Sequence, residues 1–229
     1  MKPALILEHG ATGPAGLLAE WARARELPIE IHHTYLDEPR PAVTGRPWVA
    51  CLGSRNNPND RHVPAVVQTL ELIQQAVDEE IPVLGLCYGG QVLAAVTGGA
   101  VEHSPEPQHG WVELETDAPD QVPAGPWLEW HYDRFTLPPG ATELARTGTT
   151  VQAFRLGPHL GVQFHPESTI EIVGNWARAD KARLAELGTE DGEAMLEAGR
   201  HFAPAARDAA FQLFDAFWVR ARTPERRAS

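Results

Sequence analysis

The sequence predicts an α/β fold in which helices cover both faces of a mostly parallel sheet. Short apolar runs alternate with longer segments that carry apolar residues at helical spacing, and glycine-rich turns follow several of the runs. Strands that alternate with helices of this length are joined by right-handed crossovers, which gives a three-layer sandwich. Open sheets of this kind bind ligands at the carboxyl ends of their strands, so we expect the functional residues there.

Each element of the first half follows from its residue pattern. Residues 4 to 7 form an apolar run that predicts a buried first strand, and residues 28 to 33 alternate like a shorter second strand. Residues 47 to 52 predict a third strand. Between residues 63 and 77 the apolar positions have helical spacing, which predicts a helix before the strand at residues 81 to 86.

The second half changes from strands to helices. Residues 101 to 115 and 141 to 165 are predicted to form antiparallel strands and hairpins, and the chain becomes helical after them. We therefore expect a main domain at residues 1 to 178. A C-terminal helical extension, residues 179 to 229, is expected to pack on the same domain.

The composition is that of a globular protein that binds neither nucleic acid nor membrane. The chain has 229 residues, 43% of them hydrophobic, and a formal net charge of −12, whereas binding an anionic surface requires clustered lysine and arginine. No run approaches the roughly 18 apolar residues of a membrane span, and the N-terminal apolar run breaks too early for a secretory signal. Cys51 and Cys87 allow at most one disulfide. An unpaired working thiol in a cytoplasmic protein is the expectation.

The strongest candidate for chemistry is Cys87. It lies in the stretch GLCYGGQ, residues 85 to 91, between a predicted strand and a predicted helix. Glycines on both sides allow a sharp, strained turn that exposes the thiol and lets a substrate approach. The unpaired N–H groups and the dipole at the helix N-terminus favour a thiolate, which predicts a nucleophile. The alternative is a small buried residue, since free cysteines are among the most buried residue types.

A second stretch, GVQFHPE at residues 161 to 167, favours the nucleophile over that alternative. In a strand, His165 and Glu167 lie two positions apart and point to the same face. A carboxylate beside an imidazole orients a general base and stabilises its protonated form. Cys87, His165 and Glu167 are therefore the predicted catalytic residues.

Together, the two stretches resemble the class I, or triad, glutamine amidotransferases, whose nucleophile and base motifs read like GLCYGGQ and QFHPE. The resemblance extends to residues 130 to 140, WHYDRFTLPPG, which are similar to a segment of stand-alone members related to the glutaminase domain of GMP synthase. It covers most of residues 1 to 178. It implies the flavodoxin-like fold of the class I glutaminases, with glutamine as the substrate.

The resemblance also implies roles for residues around Cys87. Gly53 and Tyr88 would supply the two backbone N–H groups of an oxyanion hole. The family usually has two glycines and a proline in the first of these turns, whereas this chain has Leu52-Gly53-Ser54, so only the middle glycine matches. The residues expected to contact the substrate amino acid or to shape its pocket are Gln91, His109, Gly110 and His131.

No metal ion or other cofactor is predicted. The ten histidines form no His-Glu-x-x-His pattern, and the sequence has no paired-cysteine motif. The adjacent His32 and His33 would point to opposite faces of a strand. The glycine-rich turns also lack the spacings that bind phosphate groups.

The predicted reaction is hydrolysis of glutamine to glutamate and ammonia through a cysteinyl thioester. Because the chain contains no evident synthetase domain, a separate synthetase subunit is the expected ammonia acceptor. Two alternatives stay open. The same triad fold also serves γ-glutamyl hydrolases and peptidases, whose leaving group is a larger amine and which need no partner. The third hypothesis is a non-catalytic, glutamine-binding relic of the fold.

Overall fold

The structure is a computed structural model that describes residues 2–148, 150–187 and 192–222. The first half of the chain alternates strands with helices, in the order β1 (Ala4–Glu8), α1 (Gly16–Ala24), β2 (Ile29–His33), β3 (Val49–Cys51), α2 (Pro64–Asp78), β4 (Val83–Leu86) and α3 (Tyr88–Val96). The second half begins with the strands β5 (Val101–Val112), β6 (Glu115–Thr116), β7 (Trp127–Phe135), β8 (Thr142–Thr147), β9 (Thr150–Leu156) and β10 (His159–Val162). It ends with the helices α4 (Ile170–Ala179), α5 (Lys181–Leu187) and α6 (Gly192–Ala221).

A sheet of eight strands forms the centre of the fold, in the order β2-β1-β3-β4-β10-β9-β8-β6. The first five strands in that order run parallel, and the other three extend the sheet in antiparallel pairs. The mostly parallel α/β sheet predicted from the sequence is therefore confirmed. The strands β5 and β7 form a separate antiparallel pair, which the residue pattern did not predict because alternation does not reveal a strand's partner.

Helices cover both faces of the central sheet, as the alternation of β1 shows. Ala4 and Ile6 belong to the core cluster that includes α1 and α6, whereas Leu5 and Leu7 belong to the cluster that includes α2 and α3. Successive side chains of a strand point to opposite faces, so one short apolar run supplies both cores. The central sheet is the middle layer of a three-layer sandwich, as predicted.

The predicted C-terminal extension is helical in its described part, since α5 and α6 lie there; residues 188–191 and 223–229 fall outside the described ranges. The helix α6 packs along α1, with the Phe214 and Trp21 rings 5.6 Å apart. The indole N–H of Trp21 donates to Asp215 at 2.9 Å. Phe214 belongs to the same core cluster as β1, so α6 completes one face of the sandwich. Although α6 has 30 residues, no helix in the described ranges is long and apolar enough to cross a membrane.

We expect Phe214→Ala to lower the free energy of unfolding by about 3–5 kcal/mol, the usual cost of truncating a buried phenylalanine. The phenyl ring is fully buried against Trp21, so the truncation leaves a cavity between α1 and α6. Urea unfolding at constant pH measures the change. Val219→Ala is the matched control on the same helix, because Val219 is 66% exposed. A loss below about 1 kcal/mol for Phe214→Ala would contradict the packing of α6 on the sheet.

Candidate active site

Cys87 lies in the sharp turn between β4 and α3, at the carboxyl edge of the parallel sheet. Its backbone has φ +51°, a left-handed value that side-chain-bearing residues rarely adopt. The backbone N–H of Cys87 donates to the Val162 carbonyl at 2.9 Å, which ties the turn to β10. The strained turn was predicted correctly. The expected exposure was wrong: Cys87 is only 6% exposed, because the site is a cleft and not a surface turn.

The glycines after Cys87 allow α3 to approach the sheet closely. A methyl group on Gly89 would overlap the carbonyl oxygen of Cys51 in β3, and one on Gly90 would overlap the carbonyl oxygen of Val162 in β10. No side chain larger than hydrogen fits at either position unless the backbone moves. The motif GLCYGGQ therefore brings the N-terminus of α3, and Cys87 with it, against the ends of two strands.

His165 and Glu167 are buried in the turn that follows β10. The Nδ1 atom of His165 lies 2.8 Å from Oε1 of Glu167, and both side chains are buried. Because β10 ends at Val162, the two residues do not lie in a strand, and strand alternation is the wrong reason for their proximity. A turn brings them together instead, closed by the Ser168 hydroxyl donating to the His165 carbonyl at 2.9 Å.

His165 lies beside Cys87, and its charge state depends on that thiol. Burial lowers the pKa of His165, but the negative charges of Cys87 and Glu167 and hydrogen bonds to both groups outweigh burial and raise the pKa well above 6.5. The imidazole ring also packs edge-on against Trp176, with ring centres 4.6 Å apart. The arrangement can therefore hold an imidazolium ion between the Cys87 sulfur and the Glu167 carboxylate.

Gln163 and Trp130 complete the contacts of the Cys87 sulfur. The amide Nε2 of Gln163 lies 3.7 Å from Sγ and the carbonyl oxygen of Trp130 lies 3.9 Å from it. Gly53 lies next to His165, where a methyl group would be 2.9 Å from the imidazole Cε1. A larger residue at position 53 would therefore push the imidazole ring or the β3 turn out of place.

Two neighbouring recesses of the cleft meet at Cys87. The first recess has a volume of about 100 Å³ and is lined by His9, Gly10, Thr12, Gly13, Gly53, Ser54, Arg55, Cys87, Trp130, His165, Trp176 and Asp180. The second recess has a volume of about 310 Å³ and is lined by Ser54, Arg55, Asn56, Cys87, Tyr88, Gln91, Trp130, His131, Tyr132, Asp133 and Asp180. A larger open groove of about 760 Å³ lies on the outer face of α6, where it is lined by none of the predicted site residues.

The structure brings most of the predicted site residues to these recesses. Gly53, Cys87 and His165 line the first recess, and Tyr88, Gln91 and His131 line the second. Glu167 lies behind His165. His109 and Gly110 line neither recess, since they lie on β5, where the His109 ring packs against Trp130 and Tyr132 at 5.7 and 4.8 Å.

A buried histidine–glutamate pair, which sequence reasoning missed, supports the wall of the second recess. The Nε2 atom of His131 lies 3.0 Å from the carboxylate of Glu129, and both side chains are buried. His131 Nδ1 lies 3.0 Å from the Asp133 carbonyl oxygen, which can only accept, so this nitrogen carries a proton. The signal was available, because Glu129 and His131 are two positions apart in β7.

His9 is a further residue of the first recess that sequence reasoning missed. The Thr34 hydroxyl donates to the Glu8 carbonyl at 3.2 Å, so it accepts from His9 Nδ1 at 2.8 Å. The Nε2 atom of His9 then faces the Cys51 thiol at 3.3 Å as an acceptor. Burial and the nearby His32 lower the pKa of His9 to about 3, so this ring contributes no charge to the recess.

The fold and the site together define an α/β protein with a buried cysteine, histidine and glutamate at the carboxyl edge of a parallel sheet. The family model described as "Glutamine amidotransferase class-I" matches residues 53–177. The chain belongs to the class I glutamine amidotransferase family. A GMP synthase (glutamine-hydrolyzing) from Aeropyrum pernix is 39% identical over 132 residues, which are 51% of this chain and 24% of that protein.

One subunit of GMP synthase (glutamine-hydrolyzing) from Ignicoccus hospitalis is 39% identical over 95 residues, which are 38% of this chain and 50% of that protein. The matched region thus spans a quarter to a half of the length of these curated relatives. The crystal structure of a glutamine amidotransferase from Methylobacillus flagellatus is similar over almost the whole chain. Its TM-score is 0.87 at 26% identity, and the match covers 96% of this chain and 95% of that one.

We expect Glu167→Gln to lower the pKa of His165, because the amide removes a negative charge and leaves the burial that opposes protonation. Because folding raises the pKa of His165, protonation of this residue stabilises the folded state. The contribution is complete below pH 6.5, the ordinary pKa of histidine, and is lost as the pH rises through the folded-state pKa. The stability difference between the wild type and the variant should therefore shrink toward alkaline pH. NMR titration of the His165 ring measures the pKa directly.

Glu38→Gln is the control for this titration, since it removes the carboxylate beside His32 and His33 and leaves the His165 site intact. We expect it to leave the His165 titration unchanged. A wild-type midpoint at or below 6.5 would contradict the charge arrangement described above.

Proposed function

We propose that this protein hydrolyses the side-chain amide of glutamine through a thioester on Cys87 and releases glutamate and ammonia. One observation carries the proposal: Cys87 occupies a strained turn at a helix N-terminus and faces a buried imidazole whose pKa is raised. A thiolate beside an imidazolium ion is an activated nucleophile with its proton donor already in place. Membership of the class I glutamine amidotransferase family supports glutamine as the amide.

In the first half of the reaction, the Cys87 sulfur attacks the amide carbon and a C–S bond forms. His165 donates its proton to the nitrogen, the C–N bond breaks and ammonia leaves. Glu167 accepts a hydrogen bond from His165 Nδ1, which keeps the other ring nitrogen turned toward the substrate. A γ-glutamyl thioester and a neutral imidazole remain.

In the second half, His165 accepts a proton from a water molecule, which attacks the thioester carbon. The C–S bond breaks, glutamate leaves, and the thiolate–imidazolium pair is restored. The backbone N–H groups of Gly53 and Tyr88 are the proposed donors to the oxyanion in both halves. Each such donor contributes about a hundredfold to a thousandfold in rate in enzymes where it has been removed.

The remaining predicted residues have proposed roles in binding. Gln91 lines the second recess, and its amide nitrogen donates to the Asp133 carbonyl at 3.0 Å, so it helps to hold β7 in place. His131 forms part of the same wall. Because His109 packs against Trp130, we propose that His109 and its neighbour Gly110 support β7 from behind and do not touch the substrate.

We propose that the ammonia passes to a substrate on a separate synthetase subunit. The support is the similarity to proteins named GMP synthase (glutamine-hydrolyzing), one of which is named as a single subunit of that enzyme. We also propose that the protein works in the cytoplasm, and that residues 1 to 178 form the main domain while residues 179 to 229 form its helical extension.

The first experiment is glutamate release from glutamine by the purified chain. We expect Cys87→Ala to lose activity by at least about a thousandfold, since the nucleophile is removed. Cys51→Ala is the matched control: Cys51 is fully buried and burial raises its pKa, so it should be unreactive and its loss should leave most of the activity.

The diazo ketone analogue of glutamine tests the nucleophile independently, because it alkylates a reactive thiol at the substrate site. Mass spectrometry should place one adduct on Cys87 and none on Cys51. Turnover of γ-glutamyl dipeptides is measured in parallel. The comparison with glutamine distinguishes an enzyme that supplies ammonia from one that hydrolyses peptides. Faster turnover of dipeptides than of glutamine would overturn the proposed substrate, and absence of both turnover and labelling would overturn the catalytic proposal.

A further inference from the structure

An ion pair between Arg55 and Asp180 lies where the two recesses meet. The guanidinium Nη2 of Arg55 is 2.5 Å from Oδ1 of Asp180. Five residues line both recesses, and they include this pair together with the thiol: Ser54, Arg55, Cys87, Trp130 and Asp180. The pair is therefore next to the position where the reacting amide would lie.

The two members of the pair are held very differently. Asp180 directly follows α4, its side chain is 19% exposed, and its second oxygen accepts from the Trp130 indole N–H at 3.1 Å. The Arg55 side chain is 69% exposed and projects from the loop after β3. Asp180 is thus a fixed anion, and Arg55 is a cation that can change partners.

Asp133 and His131, two other ionisable residues of the lining, already have protein partners. Asp133 accepts from the Asn57 amide at 2.8 Å and lies 3.3 Å from His103, and His131 pairs with Glu129. Among the described residues that line the recesses, Arg55 carries the one permanent positive charge. Arg55 and Asp180 could therefore break their ion pair, and each could bind the opposite charge of a ligand that carries both a positive and a negative group.

We propose that Arg55 and Asp180 recognise the two charges of an α-amino acid head group, with Arg55 binding the α-carboxylate and Asp180 binding the α-ammonium. This inference rests on the proposed function, for which the substrate is glutamine or another γ-glutamyl compound. Only three bonds separate the reacting carbon from the α-carbon, so the head group must lie beside Cys87, as this pair does. The zwitterion replaces one ion pair by two, and a guanidinium binds a carboxylate through two parallel hydrogen bonds.

The sequence context agrees with a role in specificity. Arg55 follows the turn in which this chain departs from the two glycines and proline of the family pattern. Asp180 belongs to the C-terminal extension. The substrate site would thus be assembled from the β3 turn and the first residues of the extension, and the extension would contribute to recognition as well as to the core.

Three amides test the assignment: glutamine, glutaramate, which lacks the amino group, and 4-aminobutanamide, which lacks the α-carboxylate. We expect Asp180→Asn to lower kcat/KM for glutamine by about 10- to 100-fold, mainly through KM, because a charged hydrogen bond is lost. The same variant should leave kcat/KM for glutaramate nearly unchanged. Conversely, Arg55→Gln should lower kcat/KM for glutamine by a similar factor and leave 4-aminobutanamide nearly unchanged.

Arg40→Gln is the matched control. Arg40 and Glu71 form an exposed ion pair with the same 2.5 Å distance between nitrogen and oxygen, and neither residue lines a recess. This substitution should leave all three substrates unaffected. If the Arg55 and Asp180 variants lose kcat/KM equally on all three amides, the ion pair has only a structural role and the inference is overturned. The inference is also overturned if neither variant loses kcat/KM on any amide.

Calorimetry on the Cys87→Ala variant separates failure of the inference from failure of the proposed function. Glutamine should bind this variant, and adding Asp180→Asn or Arg55→Gln should weaken the binding by about 10- to 100-fold. If glutamine binds in this way but the wild-type protein shows no turnover, only the proposed catalysis is overturned. Turnover that depends on Cys87, with glutamine affinity untouched by either substitution, would overturn only the head-group assignment.

Discussion

The close contact between the N-terminus of α3 and the ends of β3 and β10 is the constraint on which the rest of the site depends. Gly89 and Gly90 lie so near the carbonyl groups of Cys51 and Val162 that no side chain fits. The approach forces Cys87 into a left-handed conformation, held by its hydrogen bond to Val162. Strain of this kind persists only where the surrounding structure over-determines it, and here two strands and a helix do so.

The parallel sheet then collects the other groups at one edge. The turns after β3, β4 and β10 deliver Gly53, Cys87 and His165 from distant parts of the sequence. The separate β5–β7 sheet adds a wall with its own buried pair, Glu129 and His131. Two buried imidazole–carboxylate pairs thus lie near one another, but only His165 lines the first recess with the thiol, which gives the two histidines different surroundings.

The C-terminal helices connect the core to the cleft. The helix α6 buries Phe214 against Trp21 and so stabilises the layer that supports β1. At the junction of α4 and α5, Asp180 contacts both Trp130 and Arg55. The segment that adds apolar area to the sandwich therefore also places a carboxylate in the two recesses that Cys87 lines.

The sequence by itself determined the class of fold, since apolar runs and helical spacing record local burial. Its motifs also singled out Cys87, His165 and Glu167 as the candidate catalytic residues. Tertiary structure decided which strands pair, because alternation carries no information about a partner strand. It also decided that His165 and Glu167 meet in a turn and that Cys87 is buried. His9, Arg55 and Asp180 acquire their partners from segments that the chain brings together only on folding. Contacts of that range leave no periodic signal, which is why the charge pattern of the cleft could not be derived from residue order.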